Sequence, residues 1–485
     1  MSRAFASLRI LAVGVIAIAC MLALGSCSSS EDDPVFGASK TTVEEPSYAA
    51  EVFSGDLHLI MRVDGLDGAY EEGIKAWHEM RYSEAESLLI EARGSAMDEY
   101  SSSSVQLACV DSGLGCLYLD TACYEDAYDS LVSAQVILQD AYGQDCDCAK
   151  AVQAALAQYD YLTGDYTTCR KDIRSALDGG SPVEIWKTAN RVQNLLYAAD
   201  GEYVNAIRAT RMMLQRFFEG KGHEIEWDET ENLATYLYET EKDISLSDTD
   251  YMWLALISLD AAGYYQAIAG TGGAIERAAN HYESGKVICS KNLDNYEANS
   301  LLTILKVRHA YFRSNYEDLE GEVALAEILS AIEEQGVSND SDAGAKPFLA
   351  ETYVYYADTA GFLLGDSELA LSSYETAMSI SEEAFGHNHP QTAQVYYRLG
   401  SYEGNKLRDN AAAEQHFNEA LEIRKNILAE NTPDAAVLYL NLAGVYELEG
   451  DEAKSDESLS KAKEIYQSLG LHYLQTTEED ESGNS

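Results

Sequence analysis

The two cysteines at Cys146 and Cys148 are the side chains in this sequence whose spacing is best suited to chemistry. Thiols separated by one residue in a loop could be reactive or could be joined by a disulfide bond. Cysteine also replaces alanine readily in tight helix packing, so buried structural thiols are the favoured interpretation for the cysteines as a group. Seven cysteines follow Cys27, and an odd number cannot all pair within one chain.

Histidines and carboxylates are the other candidates. His387 and His389 form the one close pair of histidines, and two ligands do not make a tetrahedral metal site. Ten carboxylates and a single base, Lys242, lie between His223 and Asp250. At this density they could bind a cation or act as acid and base, but without a defined spacing we interpret them as a solvated insertion or long loop. We therefore predict no catalytic residue, metal or cofactor, and expect a protein that is not an enzyme.

The charge balance limits the partners. The 485 residues include 82 acidic and 33 basic side chains, which gives a net charge of -49. Such a surface repels phosphate backbones, so nucleic acid is excluded as a partner, whereas a basic partner would be attracted. The 46% hydrophobic content is ample for a core, and the length exceeds one ordinary domain.

Residues 1–26 have the pattern of an export signal. Arg3 and Arg9 precede an apolar run at 10–24, which has the length of a signal-peptide core and is too short for a permanent membrane span. The sequence LGSC that ends at Cys27 resembles the lipobox of bacterial lipoproteins. That resemblance implies cleavage before Cys27 and its acylation, with palmitate among the acyl chains. The alternative is a simply secreted leader with Cys27 as a small apolar residue.

A polar segment follows this anchor, and we assign residues 27–55 to the acylated N-terminus and a flexible tether. Several acyl chains on Cys27 would hold the protein firmly at a membrane, with its body on the extracytoplasmic side of a bacterial cell envelope. No other apolar stretch approaches about 18 residues. Contact with the membrane is therefore predicted through the anchor alone.

The body repeats at a step of 42 to 43 residues. In its N-terminal part a small–large–small triplet recurs at helical spacing, and Pro347, Pro390 and Pro433 mark the same step in its C-terminal part. Residues spaced in this way share one helix face, and small residues on that face let a second helix approach closely. The pattern predicts helix pairs stacked in series. The N-terminal triplets are Ala85, Leu89 and Ala92; Ala127, Leu131 and Ala134; and Cys169, Ile173 and Ala176.

The sequences LGCLY at 114–118 and LAGVY at 442–446 resemble the tetratricopeptide repeat signature. The step of 42 residues and the sequence GHNHP at 386–390 are similar to the longer repeats typified by kinesin light chain. The resemblance covers 68–177 and 346–470. It implies an all-α fold, a right-handed α-solenoid of about eight or nine helix hairpins with degenerate middle repeats, and a histidine before proline that caps the incoming helix.

The body divides into N-terminal repeats at 56–220, degenerate or interrupted repeats at 221–345, and C-terminal repeats at 346–472. An acidic disordered tail is predicted at 473–485. The stretch from 51 to 67 fits either a first helix or a short extended cap.

By the resemblance, the first helix of each pair lines a concave groove, and an asparagine at the position of Asn441 holds the backbone of a bound peptide. The function that this implies is a membrane-anchored scaffold that binds a protein or peptide, a basic one among the candidates. One alternative is a surface lipoprotein that binds a glycan or solute, which a cluster of exposed tryptophans would favour. A second is an enzyme within 221–345. The candidate groove residues are Gln158, Tyr161, Tyr397, Ser401 and Asn441.

Overall fold

The computed structural model describes most of the chain from residue 45 onward. The predicted export signal, the lipidation residue Cys27 and the acidic tail lie outside the described residues. The described residues contain one two-stranded sheet and nineteen α-helices. The described ranges are 45–53, 56–66, 68–226, 228–240, 244–291, 296–337 and 346–471.

Eighteen of the helices form nine pairs along the chain, in agreement with the predicted solenoid of hairpins. A short helix, α9, lies between the fourth and fifth pairs. The first helices are α1 Gly68–His78, α3 Val105–Asp120, α5 Asp147–Thr163, α7 Val183–Ala199, α10 Asp248–Ala267, α12 Tyr296–Tyr316, α14 Lys346–Asp358, α16 Pro390–Tyr402 and α18 Pro433–Glu449. The second helices are α2 Tyr82–Glu99, α4 Tyr124–Tyr142, α6 Tyr166–Leu177, α8 Tyr203–Gly220, α11 Ala274–Ser290, α13 Gly321–Val337, α15 Ser367–Phe385, α17 Asn410–Asn426 and α19 Glu452–Ser468.

Close contact between the two helices of a pair depends on small residues that face large ones. A Cβ atom added to Gly115 of α3 would lie 2.6 Å from the side chain of Leu131 in α4. An added Cβ at Gly400 of α16 would lie 3.0 Å from Phe417 of α17. Such distances leave no room for a methyl group, so these glycines allow the helix axes to approach. The residues of the predicted triplets are buried in these contacts.

The helix starts follow from local hydrogen bonds. Pro390 and Pro433 stand at the first positions of α16 and α18, where the missing N–H group costs nothing, as the sequence predicts. Several second helices begin after an aspartate whose carboxylate accepts a hydrogen bond from the N–H group three residues later. These aspartates are Asp165, Asp366, Asp409 and Asp451.

The sheet is the departure from an all-helical chain. Strands β1 Ser47–Phe53 and β2 Asp56–Arg62 are antiparallel, with Ser47 opposite Arg62 and Phe53 opposite Asp56. Of the two predictions for the stretch from 51 to 67, a first helix or a short extended cap, the sheet corresponds to the extended cap. Strand β1 also lies within residues 27–55, which the sequence analysis assigns to a flexible tether. Both faces of the strands are covered, so the alternation of polar and apolar residues that signals a strand is missing from the sequence.

The middle of the chain keeps the helix-pair arrangement. A short insertion, made of the 3₁₀ turn Glu229–Asn232 and α9 Leu233–Thr240, separates α8 from α10. Beyond it, α10 packs on α11 and α12 packs on α13. The described residues of 221–345 therefore form repeats with an insertion, and they do not form a separate domain.

The last helix shows what a missing neighbour does to the repeat. Leu459 holds the position of the large triplet residue in α19, and its side chain is 46% exposed, whereas the equivalent Leu131 and Phe417 are 0% and 2% exposed. Among the described residues no helix pair follows α19 to cover this side chain.

Candidate functional site

The two-stranded sheet covers the inner face of the N-terminal and central repeats. Strand β2 contacts α3, α5 and α7, and β1 contacts α7 and α10, all of which are first helices. The strand residues are deeply buried, with Phe53 and Ile60 at 0% exposure and Met61 at 1%. The surface that the resemblance assigns to a ligand is occupied here by the chain itself.

Arg191 of α7 joins the sheet to two helices. Its guanidinium lies 2.7 Å from a carboxylate oxygen of Asp56 in β2 and 2.9 Å from one of Asp260 in α10. Burial opposes the charge of Arg191, but the two carboxylates outweigh it and raise the pKa of the guanidinium. The two ion pairs of Arg191 thus hold the sheet against the helices, in addition to the apolar contacts.

His58 of β2 forms a second buried link. Its Nε2 lies 2.7 Å from Oδ1 of Asp120 at the end of α3, and both side chains are almost wholly excluded from water. The indole N–H of Trp77 donates to the other oxygen of Asp120 at 2.8 Å. Burial lowers the pKa of His58, but the adjacent Asp120 carboxylate outweighs this effect and raises the pKa well above its usual range.

The C-terminal repeats fold back onto the third and fourth pairs. A Cβ atom added to Gly164, after α5, would overlap the backbone oxygen of Asn431, before α18. Phe385 stacks on Tyr82 of the first pair, with ring centroids 5.9 Å apart. The apolar cluster between the two parts contains Ala157, Tyr166, Cys169, Ile173, Val192, Leu196, Ala435, Ala436, Ala462, Ile465, Tyr466, Leu469 and Leu471.

Two of the predicted groove residues lie near this apolar cluster between the C-terminal repeats and the third and fourth pairs. Gln158 is 5% exposed. Tyr161 packs against the cluster and stacks on Tyr166, with centroids 5.6 Å apart. Burial, and then the charge of Asp434 in α18, raise the pKa of the Tyr161 hydroxyl. Gln158 is therefore buried, and Tyr161 is partly buried against the cluster.

Tyr397, by contrast, lines a cleft of about 220 Å³ between α16, α17 and α18. Arg424 of α17 pairs across it with Asp434 at 2.7 Å. The Nε atom of Arg424 is buried and has no hydrogen-bond partner within the described part of the chain. An N–H donor without a partner is costly in a buried position. The lining residues are Ala393, Gln394, Tyr397, Arg424, Asp434, Val437 and Leu438.

Ser401 and Asn441 lie one helical turn beyond the cleft on the two first helices that border it. The hydroxyl of Ser401 is buried without a hydrogen-bond partner among the described residues. The Nδ2 group of Asn441 donates to the carbonyl of Val437 at 2.8 Å, which uses one of its donors within α18. Three predicted groove residues therefore lie on α16 and α18, and the other two lie on α5, where Tyr161 packs against the apolar cluster to which α18 contributes.

The acidic stretch has partners that its own sequence does not reveal. Asp250 is 4% exposed and lies 3.2 Å from Lys187 and 2.7 Å from Lys221. Glu231 pairs with Arg211 and Arg277. These two carboxylates differ from the predicted solvated loop because bases from the preceding and following helices neutralise them.

The described tryptophans and the close histidine pair have structural contacts. Trp77, Trp186 and Trp253 are at most 8% exposed, so they belong to the core. His387 lies 3.1 Å from each of two glutamates, whereas His389 caps α16 by accepting a hydrogen bond from the N–H of Gln391. The cap agrees with what the family resemblance implies.

The cysteines in the described part of the chain are all free thiols. Cys123 is exposed and Cys146 is half-buried. The remaining five occupy interior positions, which agrees with a structural role for all of them except Cys148, which adjoins Cys146. They are Cys109, Cys116, Cys148, Cys169 and Cys289. Within the same described ranges, none of the helices combines the length and the apolar character that a bilayer span requires.

Comparison with known proteins returned a family match and structural neighbours. The tetratricopeptide repeat model matches residues 348–426 and 405–468. The crystal structure of BtubC (BKLC) from P. vanneervenii is 18% identical, covers 57% of this chain and 92% of its own, and has a TM-score of 0.36. A Rap protein complexed with competence and sporulation factor is 12% identical, covers 76% of this chain and 99% of its own, and has a TM-score of 0.41. No curated protein matches the sequence.

The family match covers the C-terminal repeats, where α14 to α19 form three pairs. The first two pairs of the chain have comparable glycine contacts, at Gly73 with Leu89 and at Gly115 with Leu131. The C-terminal repeats thus match the tetratricopeptide repeat family, and the described helices before them are arranged in the same kind of pairs.

Proposed function

We propose that this protein is a bacterial envelope lipoprotein that is anchored through Cys27 and binds a segment of a partner protein in the cleft beside Tyr397. The leader pattern supports the anchor and the location. The helix-pair fold supports a role as a protein-interaction scaffold. The cleft is proposed for non-covalent binding alone.

The cleft of about 220 Å³ beside Tyr397 is the observation that carries the binding site. The ion pair between Arg424 and Asp434 forms part of its wall. The side-chain amide of Gln394 also lines the cleft, and it can both donate to and accept from the backbone of an extended peptide. Tyr397 adds a large, rigid contact surface at small entropic cost.

Coverage by the sheet explains why the site is placed at the C-terminal end. The first helices α3, α5, α7 and α10 each contact β1 or β2, whereas within the described ranges α16 and α18 form no contact of comparable extent with either strand. A partner segment can therefore reach the cleft without displacing a buried strand. The acidic surface favours a segment that carries lysine or arginine, since the net charge of -49 attracts cations over long range.

Site-specific photocrosslinking in intact cells tests this proposal. A benzophenone side chain in place of Gln394 should capture a protein, and the adduct should disappear when Tyr397→Ala is added. The matched control carries the same crosslinker in place of Tyr128, which is 46% exposed on the second helix α4. Equal capture at both positions, or capture of a polysaccharide at Gln394, would contradict a peptide-binding cleft.

A further inference from the structure

Cys146 and Cys148 meet at the start of α5. Their Sγ atoms lie 3.2 Å apart. Cys146 is the residue that caps the helix, and its sulfur accepts a hydrogen bond from the N–H of Ala149 at 3.4 Å. A helix N-terminus stabilises negative charge, so this position favours the thiolate form of Cys146.

The two thiols differ in exposure and in charge. Cys146 is half-buried, whereas Cys148 is 0% exposed. The hydrogen bond from the Cys148 thiol, followed by that from Ala149, lowers the pKa of Cys146 to about 7. The hydrogen bond to Cys146 and burial raise the pKa of Cys148. One sulfur is therefore a reachable nucleophile, and the other is a protected thiol directly behind it.

Glu45 lies beside the pair, and the three side chains could be taken for a metal site. The sulfur–sulfur distance argues against that assignment. Two thiolates on a tetrahedral zinc ion with bonds of about 2.3 Å lie about 3.8 Å apart, which is longer than the 3.2 Å found here. The Glu45 carboxylate also accepts a hydrogen bond from the backbone N–H of Cys148, at 3.2 Å. The geometry fits a thiol that donates to a thiolate.

We propose that Cys146 and Cys148 form a redox-active dithiol that exchanges with an external disulfide. The Cys146 thiolate attacks one sulfur of that disulfide, which forms a mixed disulfide and releases the first thiolate. Cys148 then gives its proton to the adjacent Glu45 carboxylate and attacks Sγ of Cys146, which releases the second thiolate. The external disulfide is reduced to two thiols while the pair is oxidised to one disulfide.

Mass spectrometry of the purified full-length protein after treatment with glutathione disulfide tests the proposal. Chymotryptic cleavage after Tyr142 and Tyr159 yields a fragment whose only cysteines are Cys146 and Cys148. We expect this fragment to lose two hydrogen atoms and to regain them with a reductant. The variant Cys148→Ser should instead retain one glutathione on Cys146, formed about tenfold or more faster than the adduct on the exposed Cys123.

Wild-type protein alone can overturn the proposal, so the test does not depend on a variant that folds. The proposal is wrong if Cys146 and Cys148 stay reduced in the folded protein under conditions that oxidise them in the urea-unfolded chain. Thiols that become alkylated only after a chelator is added would point to a bound metal and would also overturn it. Equal glutathione transfer to Cys123 and Cys146 in the variant would show that the pair has no special reactivity.

Discussion

The imidazole of His389 donates a hydrogen bond from Nε2 to the backbone carbonyl oxygen of Asp120, 2.9 Å away. The other ring nitrogen, Nδ1, accepts from the N–H of Gln391 at 3.1 Å. The contact with Asp120 joins the eighth helix pair to the second helix pair. The contact with Gln391 caps α16. Both contacts require the neutral ring with its proton on Nε2. The side chain of His389 therefore both caps α16 and holds the eighth helix pair against the second helix pair.

The first prediction is that acid weakens the fold through this histidine. Burial, and then the charge of Arg424, lower the pKa of His389 to about 4, although its bond to Asp120 opposes this shift. The unfolded chain binds the same proton near a pKa of about 6.5. Between these values only the unfolded state is protonated, so stability is lost as the pH falls from about 6.5 to about 4. The slope from one such group is about 1.4 kcal/mol per pH unit.

Urea unfolding at several pH values measures this slope. In the variant His389→Gln, the free energy of unfolding should fall less steeply with decreasing pH than in the wild type, because about one proton fewer is taken up on unfolding. Burial lowers the pKa of His281 to about 3 and that of His309 to about 4, so some acid sensitivity will remain. His387→Gln is the control, because that side chain is 45% exposed. An unchanged slope in His389→Gln would show that the ring does not stay neutral in the fold.

The second prediction concerns the contact between Gly164 and Asn431. Gly164 ends α5 with φ +86°, and Gly450 ends α18 with φ +76°. Alanine is strained at both, at a cost of about 1 to 2 kcal/mol. An added Cβ meets nothing within 4 Å at Gly450, whereas at Gly164 it overlaps the Asn431 backbone. We expect Gly164→Ala to lose about 1 to 3 kcal/mol more than Gly450→Ala.

Urea unfolding of both variants gives the difference, and hydrogen exchange locates it. The amides around residue 431 should exchange faster in Gly164→Ala and at the wild-type rate in Gly450→Ala. Equal stability losses in the two variants would mean that the C-terminal repeats do not rest on α5 in solution.

The third prediction is that labelled palmitate is incorporated into this protein in cells and that Cys27→Ala abolishes the label. Acylation of Cys27 is what the leader pattern implies, and the acyl chains would account for retention in the membrane fraction. Cys123→Ala is the control, since Cys123 is an exposed thiol of the folded body. A wild-type protein without label would remove the anchor and leave a secreted scaffold.

Local spacing predicted the helix pairs because each pair depends on residues that are close along the chain. Gly115 and Leu131 are an example, since a glycine and the leucine sixteen residues later fix one helix contact. The sheet was only an alternative, since Phe53 of β1 and Ile60 of β2 are buried on strands whose sequences lack the alternation of polar and apolar residues. The partners Arg191 and Asp56 are 135 residues apart, and nothing local relates them. Contacts of this kind set which part of the inner face stays open.

The fourth prediction tests how Arg191 holds the sheet. Its side chain is 9% exposed, and that of Asp260 is 15% exposed. Arg191→Met leaves a carboxylate in a poorly hydrated place without its partner, which should cost about 3 to 5 kcal/mol of unfolding free energy. The double variant with Asp260→Asn should recover part of that loss, because the isolated charge is gone.

Limited trypsin digestion reports on the sheet itself. Arg62 at the end of β2 lies in an ion pair with Glu51 at 2.8 Å, and the strand around it is paired with β1. Trypsin should cleave after Arg62 faster in Arg191→Met than in the wild type, and the double variant should fall between them. Strictly additive losses from Arg191→Met and Asp260→Asn, with unchanged cleavage at Arg62, would show that the charges do not couple and that apolar burial alone seats the strands on the repeats.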